Sequence, residues 1–437
     1  MIAGPSHAGH ERLRRAYVVW GAAYASPNIG DMAIAVAIVD LLRREDPYAE
    51  IAFVTSGNYD AHLAAYDGVT IVDAWRQPVH LLRLLRASRL LLVAGGVPFC
   101  DSAASLLRFL VLAAAARAAG ADVRVLASSA ADARLHRTNE ALCRTILSLT
   151  SSISLRDRKS MRLFERLQGA DAIGFIPDLA LSLDLRNQAT SRFRPTGLGD
   201  DEPYIVIAPR NFLADQSYLR THFAASFDTP KAHALLAHLT ETVEVLGRDH
   251  RIVFLPMNVD EDDGRVGRRV SEEIAGRGRE PIVIEDRLSV EQACGLIAGA
   301  DLVVGMRLHA VIFAIALERP TVALAYAGKV AGFMEWLGLA QDTLPLTVSS
   351  GQLLEACERR LAEGVPPQVP PALDLARQQI ADHVAALRHQ PATSLLALRD
   401  PALGASFGAR SGAAEREASQ TERSRSMSSS SCRMSSR

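Results

Sequence analysis

The segment DLVVGMRLHAVIFAIALERPTVALAY, residues 301–326, decides the fold of this chain. It divides into a short apolar strand that ends near Arg307, an apolar helix, and a second apolar strand that begins at Pro320. Strands that are apolar along their whole length are typical of parallel sheets, because such sheets are covered on both faces. The segment therefore predicts two parallel strands joined by a helical crossover, the repeating unit of an α/β fold.

The same alternation of strands and helices continues across most of the chain. A first series of apolar runs occupies residues 17–22, 51–56, 69–73, 89–96, 123–129 and 153–157. A second series occupies residues 204–210, 251–257, 281–286, 301–307 and 320–326. We expect two Rossmann-like, doubly wound α/β domains, with a ligand bound where the carboxyl ends of both sets of strands meet.

Shifts in composition predict the domain boundaries. Residues 187–203 are polar with Pro and Gly, which is typical of a linker. The chain beyond about Ala405 is rich in Ser, Arg and Glu and is expected to be disordered, and its glutamates argue against an RNA-binding tail. The predicted segments are a flexible N-terminus (1–15), an N-terminal α/β domain (16–186), the linker (187–203), a C-terminal α/β domain (204–390) and a disordered low-complexity tail (391–437).

Composition excludes several classes of protein. The 437 residues are 49% hydrophobic, which is enough apolar material for packed cores. A formal net charge of −1 and only 5% aromatic residues argue against a nucleic-acid-binding protein. The five cysteines form no CxxC pair, so we expect reduced thiols rather than disulfides or a zinc site. No apolar run approaches the roughly 20 residues of a membrane span. We expect a soluble cytoplasmic protein without a signal peptide.

The turn Gly305–Ala310 carries the strongest functional signal. Arg307, Leu308 and His309 follow a strand directly and open a helix, at the edge of the sheet where α/β proteins bind ligands. Free N–H groups at the helix N-terminus favour an anion, and an arginine can grip a carboxylate or phosphate with two hydrogen bonds. Histidine can bind phosphate or transfer a proton near neutral pH. The alternative is a surface arginine beside a helix-capping histidine.

Further candidates follow other strands. Gly30 and Asp31 open the first helix, where Asp31 would bind a ligand or simply cap the helix. Gly95 and Gly96 end a strand, where glycines allow the backbone to approach a ligand closely, and Asp101 comes shortly after. Weaker signals at strand ends are the charged residues 156–160, Asp178, Arg210 and the LPM motif at 255–257.

With these residues in place, the chain resembles the polysaccharide pyruvyl transferase family between Tyr17 and Leu339. The most specific match is GMRLHAVIFAIALERPTVALAYAGKVAGFMEWLGL at 305–339. Weaker motifs follow the order of the family: NIGD at 28–31, GG at 95–96, LRDRKS at 155–160, PD at 177–178, Arg210 and LPM at 255–257. Two departures are Val97, where the family usually has a third glycine, and the Ser/Arg-rich tail.

The resemblance implies a GT-B-like fold and transfer of a pyruvyl group from phosphoenolpyruvate to two hydroxyls of a sugar, in surface polysaccharide biosynthesis. Phosphoenolpyruvate would be a substrate, and no cofactor or metal is expected. The donor would bind to the C-terminal domain and the acceptor to the N-terminal domain. Arg307 and Arg210 would clamp the anion, with Leu308, Gly30, Gly95 and Gly96 as further substrate-binding residues. Lys329 is a further candidate for the anion site, with a solvated lysine as the alternative.

For catalysis, His309 is a candidate to protonate the donor, and Asp31 and Asp101 are candidates for the general base. Two other functions stay open: a GT-B glycosyltransferase using a nucleotide sugar, for which Glu335 would grip the ribose, and a non-catalytic subunit of a glycan pathway. The expected partners are phosphoenolpyruvate and a sugar or lipid-linked oligosaccharide, with no nucleic acid. A lipid-linked acceptor would bring the protein to the inner face of the membrane as a peripheral contact. The oligomeric state stays open.

Overall fold

The computed structural model describes residues 16–21, 26–55, 68–130, 135–168, 173–185, 193–216, 218–219, 223 and 227–389. The two terminal segments predicted from composition, 1–15 and 391–437, lie outside the described residues, as do residues 187–192 of the predicted linker. Four cysteines in the described ranges, at positions 100, 143, 294 and 357, are free thiols.

The first half of the chain forms a seven-stranded parallel sheet. Its strands are β1 (Ala16–Trp20), β2 (Glu50–Thr55), β3 (Val69–Asp73), β4 (Ser88–Ala94), β5 (Asp122–Ser128), β6 (Ser152–Leu155) and β7 (Ile173–Phe175). Their order across the sheet is β3-β2-β1-β4-β5-β6-β7. The order runs outward in both directions from β1 and β4, which is the topology of a doubly wound sheet.

The second half forms a six-stranded parallel sheet with the same doubly wound topology. Its strands are β8 (Tyr204–Ala208), β9 (Arg251–Phe254), β10 (Ile282–Val283), β11 (Leu302–Gly305), β12 (Thr321–Ala325) and β13 (Thr343–Pro345). Their order is β10-β9-β8-β11-β12-β13. The predicted fold of two Rossmann-like sheets is confirmed. The two series of apolar runs did not include β7 and β13, which have three residues each and lie at the edges of the two sheets, although the strand-end signal at Asp178 presupposed a strand at β7.

Helices connect the strands on both faces of each sheet. In the first half they are α1 (Ile29–Glu45), α2 (Pro78–Ala87), α3 (Ala103–Ala118), α4 (Arg137–Leu149) and α5 (Arg158–Gln168). In the second half they are α6 (Thr229–Leu246), α7 (Gly264–Ile274), α8 (Val290–Ala298), α9 (Leu308–Ala316), α10 (Gly328–Trp336), α11 (Ser350–Glu363) and α12 (Val369–His389). Short 3₁₀ helices span Leu179–Ser182 and Ala340–Asp342.

The two sheets belong to one compact unit because their cores are continuous. Helix α1 carries few polar residues in its middle and packs against α8, α9 and α12 from the second half of the chain. Helix α9 is buried along almost its whole length, between its own sheet and α1. The opposite face of the first sheet has a separate core with α2, α3, α4 and α5. The α1 and α9 layers therefore bring the strand ends of both sheets together.

Candidate functional site

The Arg-Leu-His turn sends its two polar side chains to different partners. Strand β11 ends at Gly305, Arg307 is extended, and α9 begins at Leu308. Leu308 is buried in the core shared by the two halves. Arg307 contacts acidic residues of its own half, whereas His309 faces residues of the first half. The turn thus joins two clusters of charged side chains.

Arg307 forms a buried, two-pronged pair with Asp263. Its Nε lies 2.8 Å from Oδ2 and its Nη2 lies 2.7 Å from Oδ1. The Asp263 side chain is fully buried and also accepts the backbone N–H groups of Asn211 and Asn258, each at 3.0 Å. Burial opposes the charge on Arg307, but Asp263 and Glu261 outweigh it and raise the pKa of the guanidinium. Arg307 is therefore a permanent cation held in one orientation.

Glu261 links Arg307 to Arg210. Its Oε2 accepts from Nη2 of Arg307 at 2.8 Å and from Nη2 of Arg210 at 2.9 Å, and the hydroxyl of Tyr218 donates to the same oxygen. Burial would raise the pKa of Glu261, but the two arginines and Tyr218 lower it to about 2. Arg210 and Arg307, the two predicted anion-binding arginines, each lie two residues beyond a strand, β8 and β11, and they hold a carboxylate between them.

Aromatic rings surround the other side of Arg210. Its Nη1 donates to the hydroxyl of Tyr326 at 2.9 Å, and its guanidinium carbon lies 4.9 Å from the centre of that ring. The Nζ of Lys329 lies 5.6 Å from the same ring. Burial would raise the pKa of Tyr326, but Lys329, Arg210 and Arg307 outweigh it and lower the pKa. Lys329 thus adds a third cation to this region, and its part in an anion site stays a prediction.

His309 projects across to the first half of the chain. A Cβ atom on Gly30 would lie 2.0 Å from its Nδ1, so the ring packs directly on the backbone of α1. Its Nε2 is 3.7 Å from Oδ2 of Asp178 and, among the described residues, has no hydrogen-bond partner. Burial lowers the pKa of His309, and Arg156 adds to this while Asp178 opposes it. The ring is therefore neutral near pH 7.

Asp178 is the anion beside His309, and Arg156 is its counter-ion. The Nη1 of Arg156 lies 2.6 Å from Oδ2 of Asp178, with both side chains buried. The Nε of Arg156 also donates to Ser129 Oγ at 2.9 Å, and Nη2 donates to the carbonyl of Gly96 at 3.4 Å. Burial would raise the pKa of Asp178, but Arg156 and His309 outweigh it and lower the pKa. An ion pair of the first half therefore faces the histidine of the second.

The Gly95–Gly96 turn closes this cluster. Both glycines have left-handed backbone angles, with φ of +63° and +60°, which side chains disfavour. A Cβ atom on Gly96 would lie 2.5 Å from the carbonyl oxygen of Gly21. The third residue, Val97, is exposed. The two glycines thus shape the backbone that carries the carbonyl bound by Arg156.

Backbone contacts fasten the two clusters to each other. The N–H of Ile29, in the NIGD motif, donates to the carbonyl of Met257 at 3.0 Å, and Asn28 and Asn258 form an antiparallel bridge. The LPM motif therefore meets the NIGD motif across the two halves of the chain. The loop that contains Met257 also supplies Glu261 and Asp263. It therefore contacts both the start of α1, beside His309, and the arginines of the second half.

The two predicted general bases lie in different surroundings. Asp31 is half-buried in the first turn of α1, next to Gly30, and its charge acts on His309. Asp101 instead accepts from the amide of Asn139 at 2.6 Å and from the backbone N–H of His136 at 3.0 Å, and these bonds lower its pKa. Asp31 therefore lies near His309, whereas the hydrogen bonds of Asp101 go to the first residues of α4 and the residue before it.

Sequence reasoning missed the acidic partners of the site. Asp178 carried a signal, because it follows a strand, but no role was assigned to it. Glu261 and Asp263 lie in the acidic run that follows β9, a few residues beyond the LPM motif, and were not singled out. Tyr218 had no recognisable signal. Within the described ranges, His, Cys, Asp and Glu side chains form no group of three suited to a metal ion.

The fold defines the structural class: two doubly wound parallel sheets in one compact unit, an arrangement of the GT-B type. The structure is similar to HepE from Anabaena, solved with UDP and glucose (TM-score 0.53, 13% identity, 85% of this chain and 98% of that chain). It is also similar to UDP-GlcNAc 2-epimerase from Methanocaldococcus jannaschii (TM-score 0.53, 12% identity, 85% and 99%). These identities establish similarity of fold alone.

The sequence identifies the family. The family model for polysaccharide pyruvyl transferase matches residues 28–328, so the chain belongs to the polysaccharide pyruvyl transferase family. The predicted resemblance is thereby confirmed, and the matched range contains Arg307, His309 and their acidic partners. Among curated proteins, no sequence matches this chain. Of the helices in the described part of the chain, none combines the length and hydropathy needed to cross a membrane.

Proposed function

We propose that the protein transfers a pyruvyl group from phosphoenolpyruvate to two hydroxyls of a glycan sugar, forming a cyclic ketal and releasing phosphate. The observation that carries this proposal is the convergence of Arg210 and Arg307 on one carboxylate oxygen of Glu261, in a member of this family. A pair of guanidinium groups that holds a carboxylate in the free protein is suited to the carboxylate or phosphate of the donor.

The charge of the donor requires several cations. Phosphoenolpyruvate carries about three negative charges when bound near neutral pH, and each contact in a partly dry site is stronger than in water. Arg210, Arg307 and Lys329 supply three positive charges around Tyr326. Asp263 and Glu261 offset two of them, and Asp263 is fully buried under Arg307, so donor binding would displace Glu261 from at least one arginine. The glycan would then approach from the first half, beside Gly30 and Asp31.

The proposed reaction is balanced in protons. A proton adds to the methylene carbon of the donor, which becomes a methyl group, and the neighbouring carbon becomes oxocarbenium-like. One sugar hydroxyl bonds to that carbon and loses its proton. The bond to phosphate then breaks, and a second hydroxyl closes the ketal and loses its proton. Of the two protons released, one replaces the proton consumed and the other joins the departing phosphate.

His309 is suited to deliver the first proton. Its Nε2 has no hydrogen-bond partner among the described residues, and burial keeps the ring neutral in the free protein. A bound anion nearby would raise its pKa, because negative charge favours the imidazolium. Asp178, 3.7 Å away, acts in the same direction. The histidine would therefore become an acid once the donor is present.

Asp31 is the better candidate for the general base. It adjoins Gly30 at the start of α1, on the acceptor side of His309. Asp101 is a weaker base, since its hydrogen bonds from Asn139 and His136 lower its pKa. We therefore assign to Asp31 the role of accepting the proton that the sugar hydroxyl loses.

Calorimetric titration of the full chain with phosphoenolpyruvate tests the proposal. Arg307→Lys and Arg210→Lys keep the positive charge but lose the planar fork, and we expect about 10- to 100-fold weaker binding than for the wild type. Arg360→Lys is the matched control, because Arg360 is equally buried and pairs with Asp342 away from the site. The control should lose stability but keep donor affinity.

Two outcomes would overturn the proposal. One is a folded wild-type protein that binds no phosphoenolpyruvate, with or without glycan fragments present. The other is equal affinity in the wild type and both arginine variants. Saturable binding of UDP-sugars without binding of phosphoenolpyruvate would favour a nucleotide-sugar glycosyltransferase instead.

A further inference from the structure

Most of the exposed large apolar residues in the described part of the first half lie on the outer surface of α2 and α3 or in the loops before them. Six large apolar residues there are between 42% and 61% exposed: Trp75, Val79, Leu82, Val97, Leu107 and Val111. Helix α2 packs against α3, and the guanidinium of Arg108 lies 5.7 Å from the centre of the Trp75 ring. The two helices and the loops before them therefore form one continuous surface, which we call the α2–α3 face.

The α2–α3 face is also strongly basic. Residues 75–118 contain six arginines and one aspartate in a chain whose net charge is −1, and two of these arginines pair with carboxylates just outside that range, Arg76 with Asp73 and Arg117 with Asp122. Arg76, Arg83, Arg86 and Arg108 are exposed among the apolar residues. Exposed apolar patches rimmed by charge mark interaction surfaces, and this charge fits an anionic partner.

We propose that the α2–α3 face binds the surface of a bilayer that contains anionic phospholipid. Apolar side chains such as Trp75 and Leu107 would enter the headgroup region, where tryptophan is favoured. The arginines around them would contact the lipid phosphates. A nucleic acid would match the charge equally well, but it offers no place for Val79, Leu82 and Val111. A folded protein partner is the remaining alternative, and the test distinguishes it.

The position of the face fits a role beside the site. Trp75 follows β3 and Val97 follows β4, so both lie at the carboxyl edge of the first sheet, the edge that carries Gly95 and Gly96. Helices α2 and α3 cover the sheet face opposite to α1. The protein could therefore lie on a membrane without blocking the contacts between its halves. Membrane binding does not depend on the reaction proposed above. If that reaction is correct, binding to a membrane implies a lipid-linked acceptor, and only this consequence rests on the proposed function.

Co-sedimentation with vesicles, without any substrate, tests the proposal. The full chain should sediment with vesicles of phosphatidylcholine and phosphatidylglycerol, and far less with phosphatidylcholine alone. The double variant Arg83→Glu/Arg86→Glu should lower the partition coefficient at least ~10-fold, because each arginine near an anionic surface contributes to binding. The control Arg248→Glu/Arg269→Glu makes the same change of net charge on exposed residues of the second half and should leave binding unchanged.

A second pair of variants isolates the apolar contribution. Trp75→Ser should weaken vesicle binding, whereas Tyr48→Ser should not, since Tyr48 is an exposed aromatic residue at the opposite, amino edge of the sheet. Equal sedimentation with both vesicle types, or equal binding by Arg83→Glu/Arg86→Glu and its control, would overturn the proposal. So would a dimer in solution that Trp75→Ser dissociates, together with no vesicle binding by the wild type. If the protein bound no phosphoenolpyruvate but still sedimented with anionic vesicles, the proposed function would fail and the proposed membrane surface would stand.

Discussion

Gly30 and His309 come from different halves of the chain, yet the histidine ring rests on the glycine backbone so closely that a Cβ atom on Gly30 would be 2.0 Å from Nδ1. The contact fixes the ring between α1 and α9, where its Nε2 faces Asp178. A glycine in the NIGD motif is therefore required for space rather than for an unusual backbone angle.

The first prediction concerns this contact. Gly30→Ala should destabilise the protein by about 1–3 kcal/mol, because an added methyl group in a packed interface forces the neighbours to move. Chemical denaturation monitored by circular dichroism measures the change. Gly351→Ala is the control, since a Cβ atom there meets no atom within 4 Å.

A double variant identifies the cause. If the ring of His309 causes most of the destabilisation, Gly30→Ala should cost less in a His309→Ala background, with a residual cost because the Cβ atom of His309 would also lie 2.7 Å from the added methyl group. Simple additivity of the two free-energy changes would contradict the close packing of Gly30 on the ring.

The second prediction concerns the buried pair of Arg307 and Asp263. Asp263→Asn should destabilise the protein by about 3–5 kcal/mol, because it leaves a buried guanidinium without its principal counter-ion. Asp262→Asn, on the exposed neighbour, should change stability by less than about 1 kcal/mol. Urea unfolding of both variants measures the difference, and equal midpoints for the two would contradict the assigned pairing.

The third prediction concerns pH. The pKa of His309 is lowered by burial, so the unfolded chain binds a proton more readily than the folded protein does. The stability from the neutral ring is therefore complete above the unfolded pKa of about 6.5 and is lost as pH falls through the lower folded pKa. Unfolding free energies measured between pH 7.5 and 5 should fall less steeply for His309→Gln than for the wild type.

That comparison needs a control because the pKa of His383 is also lowered by burial. His383→Gln should flatten the pH dependence of stability in the same way, but it should leave donor affinity unchanged, since His383 lies on α12. Identical pH dependence in the wild type and His309→Gln would contradict a buried, neutral His309.

The fourth prediction concerns Glu261. Glu261→Gln removes the internal anion held by Arg210 and Arg307, so binding of phosphoenolpyruvate or inorganic phosphate should become tighter, by about 10-fold. Calorimetry at low salt measures the gain, with Glu285→Gln on the exposed surface as the control. Weaker binding by Glu261→Gln would show that the carboxylate positions the arginines for the donor rather than competing with it.

The fold was largely readable from the sequence. Apolar strands such as 301–307 and 320–326 each have one stable environment, the interior of a parallel sheet, so local pattern and tertiary structure agree. The edge strands β7 and β13 were not among the apolar runs of the two series, because three residues are too few to show a period. Arg307 and His309 were also readable, since a strand-to-helix turn places polar groups at the carboxyl edge.

The sequence by itself determined the two parallel α/β sheets, the family, and the cations at the strand ends, because these depend on local pattern and motif. Only the tertiary structure decided which anions those cations meet. Arg307 and Asp263 are 44 residues apart in the chain, and Asp178 reaches His309 because the 3₁₀ helix that it caps packs against α9. Pairings of this kind depend on burial and distance, since a charge in a core needs a counter-ion within a few ångströms and no local rule names it.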